Sequence, residues 1–345
     1  MKNNRTFLEK LLDGAEIEWK SLGKVTDIKT GQSVSKNIIA QNPGIYPVIN
    51  SGREPLGFIN EWNTENDPIG ITTRGAGVGS ITWQEGKYFR GNLNYSVTIK
   101  SEYELNVRFL YHILLHFQKE IHNLCSFTGI PALNASELKK LEIPIPPLPV
   151  QTEIVKILDA LTALTSELTS ELTLRRKQYE YYREKLLSEE ELEKVGFEWK
   201  TLEELVEKTQ NIRWKNNTKT YRYIDLTSVD RENNSIPGTI EINALNAPSR
   251  AQKIVKENDI IFATTRPTQQ RIASITKEFS GEIASTGYCV LRANTDIVLP
   301  KWLFYFLSTI NFKNYVEENQ SGSAYPAISD SKVKEFRIPV PEITI

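Results

Sequence analysis

Three short patterns in the sequence have residue types and spacings that could support catalysis. His112 and His116 are four residues apart, which is the spacing of two metal ligands on one helix face. Glu18-Trp19-Lys20 contains a Glu-x-Lys arrangement like that of a nuclease. The run 75–79, Gly-Ala-Gly-Val-Gly, has the glycine content of a loop that surrounds nucleotide phosphates. Each of these chemistries requires further residues at defined positions.

The remaining sequence does not supply those residues. No carboxylate lies between the two histidines, and a similar segment near the C-terminus has Tyr305 and Thr309 in their place. No aspartate completes the nuclease pattern, and we expect Trp19, like Trp199 in a second Glu-Trp-Lys, to pack within the fold. No helix pattern follows the glycine run, which therefore indicates a hairpin tip. We predict no catalytic residue, no metal site and no cofactor site in this chain.

Side chains that read DNA bases are concentrated in polar loops. Thr-Thr-Arg ends a strand-like run twice, at 72–74 and at 264–266. Arginine pairs with guanine, glutamine with adenine and threonine with either, while mixed cations, amides and aromatics contact phosphates and bases. The alternatives are a solvated loop or, for the two arginines, ion pairs with Asp67 and Asp259. The predicted DNA-binding residues are Arg53, Thr73, Arg74, Lys87, Tyr88, Arg90, Asn92, Arg213, Trp214, Lys215, Asn217, Lys219, Thr265, Arg266, Thr268, Gln269, Gln270 and Arg271.

These loops belong to a duplicated sequence. Residues 18–22, Glu-Trp-Lys-Ser-Leu, return at 198–202 as Glu-Trp-Lys-Thr-Leu, and Ile-Pro-Ile-Pro at 143–146 returns as Ile-Pro-Val-Pro at 338–341. A repeat of this length is a duplicated domain, since solenoid units have only ~20–50 residues. Short strand-like runs, each set followed by one predicted helix (107–124 and 300–312), indicate an α+β fold. The predicted parts are an N-terminal helical segment (1–17), a first domain (18–147), a connector (148–197) and a second domain (198–345).

The connector has the clearest helical pattern in the chain. Apolar and aromatic residues recur in alternating steps of four and three over more than four heptads, and no Pro or Gly interrupts 151–195. A helix of about 38 residues would be ~57 Å long. A lone helix with one apolar seam needs a partner helix. The predicted seam residues are Ile154, Leu158, Leu161, Leu168, Leu172, Tyr179, Tyr182 and Leu186.

The chain resembles the specificity subunits of type I DNA restriction–modification systems. The resemblance rests on 7–14 (Phe-Leu-Glu-Lys-Leu-Leu-Asp-Gly), which leads to Glu-Trp-Lys-Ser-Leu-Gly at 18–23. It rests equally on 144–155, where Pro-Ile-Pro-Pro-Leu-Pro-Val-Gln-Thr-Glu-Ile-Val opens the long helix. The resemblance implies two target recognition domains, each reading half of a split double-stranded DNA site, and a helix that sets the spacing between the halves.

The resemblance also implies partners. Methyltransferase subunits would dock on this chain and carry S-adenosylmethionine, restriction and motor subunits would join them, and this subunit would do no chemistry itself. A cytoplasmic protein with no membrane segment is expected, in keeping with the net charge of −1 and two cysteines. Members of the family pair the long helix with a second one, which would begin near Ile345. We therefore expect another chain to cover the seam, through self-association or a methyltransferase subunit.

Two other classes remain open from the residues alone. One is a fused methyltransferase or nuclease that recognises and modifies DNA by itself, although its motifs are missing from the sequence. The other is a DNA-independent tandem adaptor that binds partners through the heptad helix. A preferred DNA sequence in the assembled complex would separate the DNA reader from the adaptor.

Overall fold

The computed structural model describes residues 7–12, 14, 16–52 and 54–342, and it divides into two compact units whose boundary follows Ser170. The first unit contains ten strands among these residues. They are β1 (Glu18–Ser21), β2 (Thr26–Thr30), β3 (Pro43–Ile49), β4 (Phe58–Ile59), β5 (Thr64–Glu65), β6 (Ile69–Thr72), β7 (Ile81–Trp83), β8 (Lys87–Arg90), β9 (Asn94–Ile99) and β10 (Glu142–Ile145).

The helices that begin in this unit are short except for the last. They are α1 (Phe7–Leu12), α2 (Leu22–Val25), α3 (Lys36–Gln41), α4 (Val107–His116), α5 (Gln118–Asn123), α6 (Ala135–Leu138) and α7 (Leu148–Leu186). The strands form the sheets β1-β10, β2-β9-β6-β7 and β4-β3-β8-β5, and only the β3–β8 pair is parallel. Strand β6 is buried on both faces, so it lies at the centre of the unit.

The second unit contains eleven strands in the described part of the chain. They are β11 (Glu198–Thr201), β12 (Val206–Glu207), β13 (Gln210–Asn211), β14 (Tyr221–Ile224), β15 (Ile240–Ile242), β16 (Ala251–Ile254), β17 (Ile260–Ala263), β18 (Ile272–Ser274), β19 (Ile283–Ser285), β20 (Tyr288–Ala293) and β21 (Arg337–Val340).

The helices of the second unit are again short. They are α8 (Glu189–Glu193), α9 (Leu202–Leu205), α10 (Pro300–Leu307), α11 (Ile310–Asn319) and α12 (Asp330–Lys334), with 3₁₀ turns at Pro267–Gln269 and Lys277–Phe279. The sheets β11-β21 and β12-β20-β17-β18 repeat two sheets of the first unit, and the third sheet is β13-β16-β19-β14-β15. The predicted α+β fold with two tandem domains is confirmed.

Each unit is held together by its own hydrophobic clusters. In the first unit, Leu22 and Ile71 are buried against Phe109 and Leu110 of α4. In the second unit, a larger cluster surrounds Phe262 and includes α10 and α11. Both cysteines, Cys125 and Cys289, are buried and free. No helix in the described residues is long and apolar enough to cross a membrane.

The single helices predicted at 107–124 and 300–312 are each divided in two. Phe117 ends α4 with φ −86° and ψ 15°, which is outside the helical region, and α5 begins at the next residue. In the second unit, Thr309 stands between α10 and α11, and its hydroxyl accepts a hydrogen bond of 3.3 Å from the amide of Phe312. A capping side chain therefore starts a new helix in the middle of the apolar pattern.

The predicted packing of the two Glu-Trp-Lys tryptophans is wrong. Trp19 is 58% exposed and Trp199 is 43% exposed. Each lies on a short strand that pairs only with the proline-containing strand at the end of its unit, opposite Pro144 and Pro339 respectively. A two-stranded sheet has too little surface to cover an indole ring.

The long helix α7 is continuous over 39 residues, which corresponds to ~58 Å. Its first turn is fixed to the first unit by Gln151, whose side chain is fully buried. The Gln151 amide nitrogen donates to the carbonyl oxygens of Pro146 (2.8 Å) and Glu104 (3.2 Å), and its oxygen accepts from the Asn106 amide (2.8 Å).

Candidate nucleic-acid interface

The loops that carry the two Thr-Thr-Arg tripeptides are held by the same backbone contacts in both units. The carbonyl oxygen of Thr73 accepts a hydrogen bond of 2.8 Å from the amide of Leu133. The carbonyl oxygen of Thr264 accepts the equivalent bond, of 2.9 Å, from the amide of Ile328. Thr73 and Thr264 therefore occupy the same position in the two folds, although they are the second and the first residue of their tripeptides.

This one-residue displacement separates the two arginines. Arg266 is equivalent to Gly75, since their amides donate to equivalent proline carbonyls, that of Pro326 at 2.7 Å and that of Pro131 at 3.0 Å. Arg74 instead forms an isolated bridge one residue earlier. The interpretation of the two arginines as repeated counterparts is wrong, because the tripeptides are displaced by one residue within hairpins of equal length, in which Ile71 pairs with Ile81 and Phe262 with Ile272.

The ion pairs considered as an alternative involve other arginines. Asp259 is buried and binds the guanidinium of Arg292 through two hydrogen bonds of 2.9 and 2.7 Å. Asp67 lies 3.6 Å from Arg90. Within the described residues, both arginines of the tripeptides are exposed and neither has a carboxylate within ion-pair distance. Their guanidinium groups are therefore accessible to a ligand.

Two residues predicted to bind DNA are buried instead. Tyr88 is 1% exposed and Arg90 is 3% exposed. The guanidinium of Arg90 donates to the carbonyl oxygens of Ile69 (3.1 Å), Tyr95 (3.0 Å) and Asp67 (2.7 Å). Burial raises the pKa of the Tyr88 hydroxyl to about 12, and that hydroxyl donates to the carbonyl of Asp67. These contacts stabilise the first unit and leave neither side chain free to reach DNA.

Trp214 is also engaged within its unit. Its indole N–H donates to the carbonyl of Ala251 at 2.8 Å, and its ring lies edge-on to Tyr221 at 5.8 Å. The Asn217 amide donates to the hydroxyl of Tyr221 at 3.2 Å. Trp214 and Asn217 therefore shape the loop, while the charged residues between and beside them project outward. The predicted residues with exposed side chains are Arg74, Lys87, Asn92, Arg213, Lys215, Lys219 and Arg266.

Lys87, although exposed, lies over the ring of Trp62 at 4.4 Å. The other predicted positions are less exposed, and Thr73 is only 8% exposed. Arg53 lies outside the described residues. Half-buried side chains of the second unit are Thr265, Thr268, Gln269, Gln270 and Arg271. Four of the predicted residues come together around one concavity.

That concavity, of about 420 Å³, is the densest cluster of the predicted residues. Arg271 forms part of its wall, with a guanidinium nitrogen 2.6 Å from the carbonyl of Leu226. Arg266 lies over the ring of Tyr325 at 5.0 Å. Three arginines and no acidic residue line it in the described part of the chain, so it suits an anion or an electron-rich base edge. Its lining residues are Leu226, Thr227, Arg250, Ala263, Thr265, Arg266, Gln269, Arg271 and Tyr325.

Sequence reasoning missed Thr227, Arg250 and Tyr325. A usable signal existed for Tyr325, because Tyr-Pro-Ala at 325–327 repeats Ile-Pro-Ala at 130–132. Those prolines and alanines form the backbone contacts that hold both loops. No comparable signal marks Arg250, which is brought into the concavity only by the sheet.

The three histidines do not form a metal centre. His112 shares a hydrogen bond of 2.8 Å with the carboxylate of Asp159, while His116 and His122 contact the rings of Phe117 and Phe127. In the ranges that the structure describes, no three His, Cys, Asp or Glu side chains are grouped as metal ligands.

The apolar seam of α7 is largely exposed. Ile154 packs against the core of the first unit, but Leu168 is 60% exposed and Tyr182 is 50% exposed. The other seam residues lie between 37% and 62% exposed, namely Leu158, Leu161, Leu172, Tyr179 and Leu186. Such a row of apolar side chains is the surface that a second helix covers in a coiled coil.

Comparison with known proteins agrees with this architecture. The family model described as "Type I restriction modification DNA specificity domain" matches residues 15–174 and again 194–345. The specificity subunit of the type I restriction enzyme EcoR124I/EcoR124II of Escherichia coli is 26% identical over 370 aligned residues, which cover 98% of this chain and 86% of that protein.

A second relative is more similar over a shorter stretch. A putative type I restriction enzyme specificity subunit of Haemophilus influenzae is 44% identical over 209 residues, covering 56% of this chain and about half (52%) of that protein. Among solved structures, the S subunit of a type I restriction-modification system from M. genitalium has the same fold, with a TM-score of 0.63, 19% identity, and coverage of 95% of this chain and 86% of that one. The chain belongs to the family of type I restriction–modification DNA specificity subunits.

Proposed function

We propose that this chain recognises a bipartite DNA site and that each unit reads a different half. The main observation in support is that the two units share a framework of backbone hydrogen bonds but differ at the tips of their loops. The framework bonds of Thr73 and Thr264 are the same, whereas Gly-Ala-Gly-Val at 75–78 corresponds to a loop that begins Arg-Pro-Thr-Gln at 266–269. A common scaffold with unlike loops is suited to reading two unlike sequences.

Charged residues around the loops would supply affinity without sequence preference. Lys87, Arg213, Lys215 and Lys219 are exposed and suit phosphate contact. Because the net charge of the chain is only −1, we expect partner subunits to contribute further phosphate contacts. We retain 18–147 and 198–345 as the two target recognition domains, preceded by the helical segment 1–17 and separated by the connector 148–197.

We further propose that α7 is the docking surface for partner chains. Its exposed leucines and tyrosines suit a helix of a methyltransferase subunit or of a second copy of this chain. The methyltransferase would bring S-adenosylmethionine and the chemistry, and restriction subunits would join that complex. This division of labour is consistent with the relatives, which are named specificity subunits.

Methylation mapping tests the proposal directly. The chain would be expressed with its methyltransferase partner in a host without other methyltransferases, and methylated bases would be located across the genome. We expect one split motif with two defined halves. Replacing loop 266–271 with the loop of a relative should change one half and leave the other as an internal control. A methylated motif with a single half, or methylation without sequence preference, would refute the bipartite reading.

The spacing role of α7 needs its own experiment. Deletion of one heptad, 162–168, keeps the seam in phase and shortens the helix by ~10 Å. We expect the same two half-sites with a shorter spacer between them. An unchanged spacer in a complex that still methylates DNA would contradict the spacing role while leaving the reading of half-sites intact.

A further inference from the structure

The loop after β17 contains two residues with an unusual backbone. Six non-glycine residues have positive φ in the described part of the chain, and four of them are asparagines, which tolerate this conformation. The other two are Arg266 (φ 50°) and Gln270 (φ 48°), which flank the 3₁₀ turn at Pro267–Gln269. For a long side chain the left-handed region is strained, and such strain is concentrated at functional sites.

The first unit shows that this position does not require an arginine. Its equivalent there is Gly75, which also has positive φ (90°) and which adopts that conformation without steric cost. The two folds thus demand the same backbone at this point, and only the second places a side chain on it. Since glycine would satisfy the fold, the arginine is explained by what its side chain does.

The surroundings of Arg266 suit directional recognition. The guanidinium lies 5.0 Å from the ring centre of Tyr325, which restricts its orientation, and no carboxylate of the described residues neutralises it. Its amide is fixed by the bond to Pro326. A planar fork held in this way matches the O6 and N7 acceptors of guanine.

We propose that Arg266 is a specificity-determining residue of the second unit, that it reads a guanine in one half-site, and that its strained backbone is the stability cost of that contact. Tyr325 is a positioning residue for the guanidinium. The proposal rests on the DNA-reading function proposed above and adds the residue, the base and the cost.

The strain is tested without DNA, by comparing glycine and alanine at one position. Arg266→Gly should melt about 2–4 °C higher than Arg266→Ala, because both lack the side chain and only alanine keeps the unfavourable backbone. At Gly75, where an added Cβ meets no atom within 4 Å, Gly75→Ala should lower the melting temperature by a similar amount. Arg74 does not have a positive φ, so Arg74→Ala should melt at a higher temperature than Arg74→Gly. Equal melting temperatures of Arg266→Gly and Arg266→Ala would show that the backbone at this position is not strained and would overturn that part of the proposal.

The base contact is tested in the assembled methyltransferase complex. Arg266→Gly and Arg266→Lys should each weaken binding about 5- to 150-fold and relax the motif at one guanine, with the other half-site unchanged. Tyr325→Ala should weaken recognition of the same guanine. Tyr325→Phe, which retains the ring, should recognise that guanine as the wild type does. A uniform loss of affinity, with a salt dependence lower by about one ion and an unaltered motif, would make Arg266 a phosphate contact and overturn the proposal.

The two proposals fail in different ways. If the wild-type complex has no preferred motif, the DNA-reading function fails and the base contact of Arg266 fails with it, while the melting comparison still tests the strained backbone. If the wild-type complex has a split motif and Arg266→Gly methylates the same one with the same affinity, only the role of Arg266 is refuted.

Discussion

His112 and Asp159 share a hydrogen bond of 2.8 Å that joins the domain helix α4 to the long helix α7. Arg108, one turn before His112, adds bonds of 2.9 and 3.2 Å to the same carboxylate and stacks over Trp83 at 4.4 Å. Together with buried Gln151, this network ties the first part of α7 to the first unit. The histidine that suggested a metal site thus has a structural partner on the connector.

Asp159→Asn should weaken this network in a pH-dependent way. Partial burial alone would raise the pKa of the Asp159 carboxyl, but hydrogen bonds from His112 and Arg108 and their charges outweigh burial and hold the pKa below its usual 3.8. A lowered pKa contributes stability above pH 3.8 and loses it as the pH falls through the folded value. Because the pair is partly exposed, we expect Asp159→Asn to lower the free energy of unfolding by about 0.2–1 kcal/mol at pH 7.

Urea unfolding of wild type and Asp159→Asn at pH 7, 5 and 3 would measure this difference. The difference in free energy of unfolding between the two proteins should be present at pH 7 and 5 and should be smaller at pH 3. Glu153→Gln, on the same helix, removes a carboxylate of similar exposure whose ion pair is a long one of 3.8 Å to Lys156, so it is the matched control and should change the stability little. A difference that is constant down to pH 3 would contradict the ionic origin.

Gln151→Ala should destabilise the first unit more than any change in the exposed part of α7. It removes the partner of the buried Pro146 carbonyl and of the partly buried Glu104 carbonyl and Asn106 amide, at a cost of about 1–3 kcal/mol. Thr152→Ala, at the exposed neighbouring position, is the control. Chemical denaturation monitored by tryptophan fluorescence would compare them, and equal midpoints would show that the helix start does not depend on this side chain.

Arg90→Ala should impair folding rather than recognition. Its guanidinium serves several buried acceptors, so removal should cost about 3 kcal/mol or more. Exposed Arg74→Ala should stay within about 0.5 kcal/mol of wild type. Calorimetry or thermal scanning would rank the two. An Arg90→Ala protein with unchanged stability and an altered methylation motif would restore the original interpretation of Arg90 as a DNA contact.

Leu168→Glu combined with Leu172→Glu should abolish association through the seam. Both leucines are already more than half exposed, so the stability of the isolated chain should hardly change. Ser166→Glu with Ser170→Glu introduces the same charge off the predicted seam and is the control. Co-purification with the methyltransferase subunit and sedimentation of the chain alone are the measurements. Association that survives the leucine pair but not the serine pair would place the interface on another face.

Long-range features of this fold were readable from the sequence. The heptad steps from Ile154 to Leu186 predicted one long helix, and the structure has it from Leu148 to Leu186. The strand-like run at 70–73, which leads into the first Thr-Thr-Arg, lies within one residue of the observed strand Ile69–Thr72. These elements are specified by periodic burial, which is visible in the sequence as a periodic pattern of hydrophobic residues.

The site was less predictable because it depends on burial and register. Arg90 follows a polar, aromatic run like that of a binding loop, and only the packing of β8 shows that it faces inward. The two Thr-Thr-Arg tripeptides looked equivalent, but hydrogen bonding to the Pro-Ala segments shows that they are displaced by one residue relative to each other in the fold. Arg250 enters the concavity only through tertiary structure.

The strand pairs that close each unit have a consequence for how such proteins change. In both units the first strand runs antiparallel to the last, with Trp19 opposite Pro144 and Trp199 opposite Pro339. Neighbouring strands are about 5 Å apart, so the chain enters and leaves the strand-bearing domain of each unit at adjacent points. A unit bounded in this way is a cassette: a gene segment exchanged between these strand pairs would install a new reader while the rest of the chain keeps its fold. Both boundary sequences, Glu-Trp-Lys and Ile-Pro-x-Pro, occur in each unit. Recombination at these two sequences would exchange one whole domain, and with it the DNA target, in one step.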